Sequence, residues 1–428
     1  MSQFRIRPTS LRGKIFIPPS KSHTLRAILF GMMGKGRTYI RHYLQSPDSI
    51  AMIEAVRTFG AKVDIALEQL TIEGLNGVLK GAENVIDAGN SGQVLRFIGA
   101  LAPLSPAYTV ITGDHSIRHN RPVKPLLDAL GQLKAFAASM RQDGYAPIIL
   151  KGPMQPGTAE LPGEDSQPVS GLLIAAAFLK GKSQLIVSNP GEKPWIDLTL
   201  HWLKKLNMKV EHQDYAKYTI FGSAAYDGFD IVIPGDFSSA AFPVAAALIT
   251  NSELTLENID MEDCQGDKKL IEVLIKMGAK IAIDPKQKTL TVQKNSVLQG
   301  MKIDINDFID AIAILSVIGC FAEGTTEITN ASVARKKESD RIHAMATELK
   351  KMGADLEEKE DGLIIRKSSL RGTCLESYRD HRIAMSLSVA ALAASGESLI
   401  QGVECIAKTY PTFARDFQSI GAAIEVIT

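Results

Sequence analysis

The sequence predicts an α/β fold of the α+β type. Two domains each hold three repeated α/β units, with buried helices inside and sheets outside. Three observations predict it. First, amphipathic stretches end in the same manner six times: at Phe59-Gly60-Ala61, near Gly131, at Leu206-Asn207-Met208, Met277-Gly278-Ala279, Met352-Gly353-Ala354 and Ile420-Gly421-Ala422. In each, an apolar helix face stops at a Gly or Asn suited to a left-handed C-cap, and an alternating strand such as Lys280-Ile281-Ala282-Ile283 follows. The period of about 70 residues is longer than that of solenoid repeats, so each copy is a small folding unit. Second, Val94–Leu104, Val169–Leu179, Ala240–Ile249, Ala311–Ala322 and Ile383–Ala394 are nearly uncharged, and a helix apolar all round is buried on every side. Third, 428 residues exceed the roughly 250–300 at which a single core stops growing.

Taken in order, the chain first commits itself at Pro18–Arg26. Ile15-Phe16-Ile17 alternates as a strand end, the two prolines stop it, and Ser20 offers an oxygen to cap the helix that Leu25–Leu29 continues. The free N–H groups of that helix start, with Lys21 beside Ser22 and Arg26 at i,i+4, make a corner for a phosphate or carboxylate. Gly235-Asp236-Phe237-Ser238-Ser239 is a second break of the same kind, between a strand and an Ala-rich helix. The two breaks place the crossings between a discontinuous domain, 1–19 and 236–428, and an inserted domain, 20–235.

Three further stretches repeat the logic of the first. Asp87–Arg96 joins a strand end, an Asn-Ser cap, Gly92 and an Arg four residues on. Arg335–Arg341 again sets Lys337 and Arg341 at i,i+4, and Arg379-Asp380-His381-Arg382 opens the last apolar helix. Each alone reads equally well as a capped helix with solvated charges. Four in separate repeats point to anion binding. Among the carboxylates, Asp310 stands at the head of an apolar helix, where desolvation raises a pKa unless cations or backbone donors hold the group ionised. Glu338, flanked by Lys337 and Arg341, is the second candidate acid, with a surface ion pair as the plainer reading.

Composition narrows the partners. A formal net charge of +1 gives no bulk attraction to nucleic acid or membrane, so small molecules are expected. Cys264, Cys320, Cys374 and Cys405 form no CxxC pair, which fits a reducing cytoplasm. Arg5, Arg7, Arg12 and Lys14 surround no apolar core of a signal peptide, and uncharged runs such as Phe237–Ser252 are too short and too rich in Ser and Ala to span a bilayer. No metal-ligand cluster, dinucleotide fingerprint or P-loop occurs, so no metal and no cofactor are expected, and a phosphorylated small substrate remains.

In this order the motifs resemble the 5-enolpyruvylshikimate-3-phosphate synthase family, from Lys14 to about Pro411. The resemblance is carried by Ser20-Lys21-Ser22-x-x-x-Arg26, Gly89-Asn90-Ser91-Gly92-x-x-x-Arg96, Arg121-Pro122, Ser166-Gln167, Asp310-Ala311, Lys337–Arg341, Asp380–Met385 and Ala407–Pro411. It implies two domains of three βαβαββ units, an inside-out α/β barrel, with the active site in the cleft between them and a monomer as the working form. It also implies transfer of the enolpyruvyl group of phosphoenolpyruvate to shikimate 3-phosphate, by addition and then elimination of phosphate.

By motif position the resemblance puts Lys21, Arg121, Arg341, Arg382 and Lys408 around phosphoenolpyruvate, with Gly92 and Gln167 beside it. Ser22, Arg26, Ser166, Gln167, Asp310 and Lys337 would face shikimate 3-phosphate. Lys21, Asp310 and Glu338 would move protons. Gly92 is also where the family admits the herbicide glyphosate.

The chain departs from the family pattern in places. Asp165 and Glu192 stand where serines ordinarily help to hold the shikimate phosphate, Val333 replaces an Asn, and Gln93 and Phe97 replace Thr and Pro. Two acids against a bound phosphate would repel it, so they are expected to turn toward neighbours such as Lys193, leaving Arg335, Lys336 and Lys337 to the phosphate. The alternative readings are an enolpyruvyl transferase with another acceptor, UDP-N-acetylglucosamine or an unphosphorylated cyclitol, and a non-catalytic anion-binding repeat protein. A reactive Cys typical of the UDP-N-acetylglucosamine enzymes is missing from Gly113–Asn120.

Overall fold

Six four-stranded sheets and the helices between their strands make up the chain, seen in a computed structural model that describes residues 2–427. The sheets share one plan, shown by the third repeat of the discontinuous half. There Lys302–Asp304 runs parallel to Thr325–Thr329, Gly362–Arg366 lies antiparallel to the latter, and Leu356–Lys359 closes the edge. The parallel pair needs a crossover, and the apolar helix Ile312–Phe321 supplies it. This is the βαβαββ unit. The sheets remain separate and none closes into a barrel, which corrects the barrel part of the expectation.

By internal contacts the chain divides into one compact unit ending at Pro18 and resuming at Pro234, and another spanning Pro19–Ile233. Strand pairing explains the division. Arg12–Phe16 pairs in parallel with Glu253–Glu257, Ile15 opposite Leu256, so the first repeat of the discontinuous unit straddles the whole insertion. Its last sheet is completed by Gln3–Arg7, antiparallel to both Ser398–Gln401 and Ala423–Ile427. The inserted unit is permuted in the same way, with Asp230–Val232 parallel to Arg37–Arg41.

The core of the discontinuous unit is made by the helices Phe237–Ile249, Ile312–Phe321 and His381–Ala391, which pack on one another and are almost wholly buried. Small residues let them do so: Ala240, Ala241, Ala245, Ala246 and Ala247 on the first, Ala384, Ala390 and Ala391 on the last. In the inserted unit Gly92–Leu101 packs on Ser166–Ala176, and a Cβ at Gly171 would stand 2.9 Å from the Arg96 carbonyl. Only glycine allows that approach. Lys21–Met33 is the third buried helix of this unit, and its Arg26 guanidinium lies 5.0 Å from the Phe97 ring centroid.

The repeated helix stops are left-handed at Gly60, Asn207, Gly278, Gly353 and Gly421. The stop expected near Gly131 is different. Gly131 is inside the helix Lys124–Gln132, and Lys134 takes the positive φ of 67°. Among the described residues no helix is long and apolar enough to cross a membrane.

Candidate functional site

In the inserted unit three helix starts carry the predicted groups. Ser20 caps Lys21–Met33 by accepting from the His23 N–H, and Ser91 caps Gly92–Leu101 by accepting from the Val94 N–H. Each cap sets the residues that follow at a helix start, where the first N–H groups have no partner within the helix itself. Lys21 Nζ lies 3.4 Å from Asp48 Oδ2, and the same oxygen accepts from Ser91 Oγ at 3.0 Å. Asp48 is buried, 2% exposed, so one carboxylate links the first two helix starts.

Around Gly92 three side chains converge. A Cβ there would meet Arg96 Nη1 at 2.7 Å, Gln167 Oε1 at 3.1 Å and Arg121 Cζ at 3.3 Å. Arg96 is committed, donating to Gln167 Oε1 at 3.1 Å and to the Pro122 carbonyl at 2.9 Å while pairing with Asp165 at 3.0 Å. Arg26 donates to Thr199 Oγ1 at 2.8 Å and to the Ser22 carbonyl at 3.2 Å, and Ser22 Oγ accepts from Gln93 at 3.4 Å. Ser166 gives its hydroxyl to Glu192 at 2.9 Å.

In the discontinuous unit, cations and acids interlock. Arg341 donates to Asp310 at 2.7 Å, Glu338 at 2.8 Å and Asp380 at 2.8 Å, and Arg382 reaches the other Asp310 oxygen at 2.8 Å. Lys408 donates to Glu338 at 2.6 Å. Asp380 caps the helix His381–Ala391 through the Arg382 N–H, which fixes where Arg382 departs. Glu338 is buried, so the surface-pair reading fails.

Burial pushes the Asp310 carboxyl up, but Arg382, Arg341 and Lys337 outweigh it and hold the group far below the usual carboxylate range. Burial likewise works against the Arg341 charge, and Asp380, Glu338 and Asp310 more than restore it. Asp310 is not at a helix cap. It lies in the 3-10 turn Asn306–Ala311 before the helix proper, lining a small cavity with Ser238, Asp267 and Arg382.

Other expectations need correction. Asp165 and Glu192 turn to Arg96 and Ser166, whereas Lys193 lies over the Tyr215 ring. Arg335 is held by Asp340, Glu358 and the Lys359 and Glu360 carbonyls, so its donors serve its own repeat. Lys337 and Arg341 do not share a helix face as the i,i+4 spacing suggested, because the helix begins at Arg341 and Lys337 stands outside it.

With this geometry in place, comparison with known proteins decides the lineage. A family model described as EPSP synthase (3-phosphoshikimate 1-carboxyvinyltransferase) matches residues 6–417. The chain belongs to the EPSP synthase family. Proteins named 3-phosphoshikimate 1-carboxyvinyltransferase are similar throughout. That of Acetivibrio thermocellus is 42% identical over 98% of this chain and 99% of its own, and that of Methanocaldococcus jannaschii 39% identical over 97% of each. The structure of EPSP synthase from Acinetobacter baumannii superposes with a TM-score of 0.84 at 30% identity, covering 100% of both chains. In this EPSP synthase family chain the helix-start cations and Glu338 are legible from the sequence, whereas the partners Asp48 of Lys21 and Asp380 of Arg341 are not. An Asp after Ser46-Pro47 signals a helix start, but nothing local signals that it reaches Lys21.

Proposed function

We propose that the chain transfers the enolpyruvyl group of phosphoenolpyruvate to a hydroxyl of shikimate 3-phosphate, giving 5-enolpyruvylshikimate 3-phosphate and phosphate. The observation that carries this reading is the pair of acids, half-buried Asp310 and buried Glu338, gripped by Arg341, Arg382 and Lys408. Phosphoenolpyruvate brings a phosphate and a carboxylate, and these cations are the groups to receive them. To phosphoenolpyruvate we assign Lys21, Arg121, Gly92 and Gln167 in the inserted unit, and Arg341, Arg382 and Lys408 in the discontinuous one. Ser22, Arg26, Ser166, Gln167, Asp310 and Lys337 take the acceptor.

The chemistry follows from this assignment. The acceptor oxygen adds to C2 of phosphoenolpyruvate while a proton reaches the C3 methylene, giving a tetrahedral ketal. Loss of a proton from the new methyl group then expels phosphate and restores the double bond. Asp310 is ionised and accepts the hydroxyl proton, and Glu338 with Lys21 serves the carbon.

A carboxylate clamped by two guanidiniums is a weak base. Substrate anions on Arg341 and Arg382 neutralise those charges and raise its basicity when the substrate is bound. The cations also stabilise the negative charge of the departing phosphate.

All these groups belong to one chain, which suits a monomer, and its four free thiols suit a reducing cytoplasm. Phosphate release from phosphoenolpyruvate, dependent on shikimate 3-phosphate and lost in Asp310→Asn, tests the reading.

A further inference from the structure

The N–H and hydroxyl of Ser166 already hold an anion, and it is part of the chain. Glu192 is 2% exposed, and its Oε2 accepts from the Ser166 N–H at 3.0 Å and from the Ser166 hydroxyl at 2.9 Å. It occupies the N-cap position of Lys193–Lys205 yet makes no side-chain cap there, reaching instead to the start of the other helix, Ser166–Ala176. Its backbone is left-handed, φ 46°, which glutamate seldom adopts, so the side chain's contacts hold it in place. Beside it Asp165 accepts from the Gln167 N–H at 3.0 Å and pairs with Arg96 at 3.0 Å. Two carboxylates thus take up the donors of this helix start and one guanidinium.

We propose that Glu192 is a specificity-determining residue for the acceptor. Its carboxylate stands on the donors that an acceptor phosphate would use at Ser166. The chain therefore favours the phosphorylated over the unphosphorylated acceptor by less than it would with a neutral residue at 192. The inference rests on the reading that Ser166 faces the acceptor. A phosphate arriving there displaces Glu192 from Ser166 or lies against a like charge, and either outcome weakens binding of the phosphorylated acceptor alone. Arg26, assigned to the acceptor on the same reading, donates to Thr199 Oγ1 and to the Trp195 carbonyl.

Calorimetric titration of shikimate 3-phosphate and of shikimate, into wild type, Glu192→Gln and Glu192→Ser, tests this. The control is Glu164→Gln, an exposed acid bonded to Asn189. The ratio of the two dissociation constants is expected to shift toward the phosphorylated ligand by about tenfold or more in both Glu192 variants and to stay put in Glu164→Gln. A ratio unchanged or reversed in folded Glu192→Gln overturns the proposal and makes Glu192 a positioning residue for Ser166. An equal shift in Glu164→Gln overturns it in favour of general charge. If Glu192→Ser does not fold, Glu192→Gln decides. Wild type that releases no phosphate with shikimate 3-phosphate overturns the functional reading and this inference together, whereas active wild type with an unmoved ratio overturns this inference alone.

Discussion

Arg341 Nη1 donates to Asp310 Oδ1 at 2.7 Å, and the same guanidinium spends its other nitrogens on Glu338 and Asp380. One cation therefore fixes both acids proposed to move protons. Asp310→Asn keeps the shape and removes the base, and kcat is expected to fall roughly 10²–10⁴-fold, with a similar loss in Glu338→Gln. Steady-state kinetics with circular dichroism as the folding check measures this. The stabilisation Asp310 draws from its cations has a defined sign. Its folded pKa is depressed, so the contribution is present above its ordinary value of 3.8 and is lost as pH falls below that.

Asp48 lies 3.4 Å from Lys21 Nζ and is itself buried. In Asp48→Asn the Lys21 ammonium loses its fixed partner, and kcat/KM for phosphoenolpyruvate is expected to drop about tenfold, of the order seen for a weakened charge pair. The shikimate 3-phosphate dissociation constant should change less. Equal loss for both ligands would indicate general damage to the unit.

Gly92 leaves room where a Cβ would press on Arg96, Gln167 and Arg121. Gly92→Ala should raise the KM for phosphoenolpyruvate and relieve inhibition by glyphosate, which is expected to compete with phosphoenolpyruvate. Inhibition constants for both proteins decide it.

Burial pushes the thiols of Cys320 and Cys405 up to about 12, while Cys374 is exposed. At pH 8 an alkylating reagent should therefore modify Cys374 well before either of those two, because the thiolate is the reactive form. Peptide mass spectrometry over a time course reads the order, and early labelling of Cys320 would show that its helix opens readily.

The fold was legible where its signals are local. Gly60, Gly278, Gly353 and Gly421 mark helix ends because a left-handed residue is nearly always one that tolerates positive φ, and Lys134 escaped for that reason. The absence of charge on Ile312–Phe321 disclosed its burial. Pairing of Gln3–Arg7 with strands at the other end of the chain left no local trace.

In the site, the cations announced themselves by repetition at helix starts, and the family motifs gave them roles. Their partners came from elsewhere in the chain. Asp165 on Arg96 and Glu192 on Ser166 depend on how the inserted unit's helices pack, and sequence spacing does not encode that. Charge repulsion implied that the acids would turn away from the acceptor's donors, yet Glu192 lies on the N–H and hydroxyl of Ser166 while Asp165 pairs with Arg96.

The proposed activity is enolpyruvyl transfer to a phosphorylated shikimate acceptor. The most direct measurement is phosphate release from phosphoenolpyruvate, run in parallel with shikimate 3-phosphate, shikimate and UDP-N-acetylglucosamine. Rapid release with shikimate 3-phosphate, slower release with shikimate and none with UDP-N-acetylglucosamine is the predicted result. No release with shikimate 3-phosphate from folded protein, or faster release with either other acceptor, would contradict it.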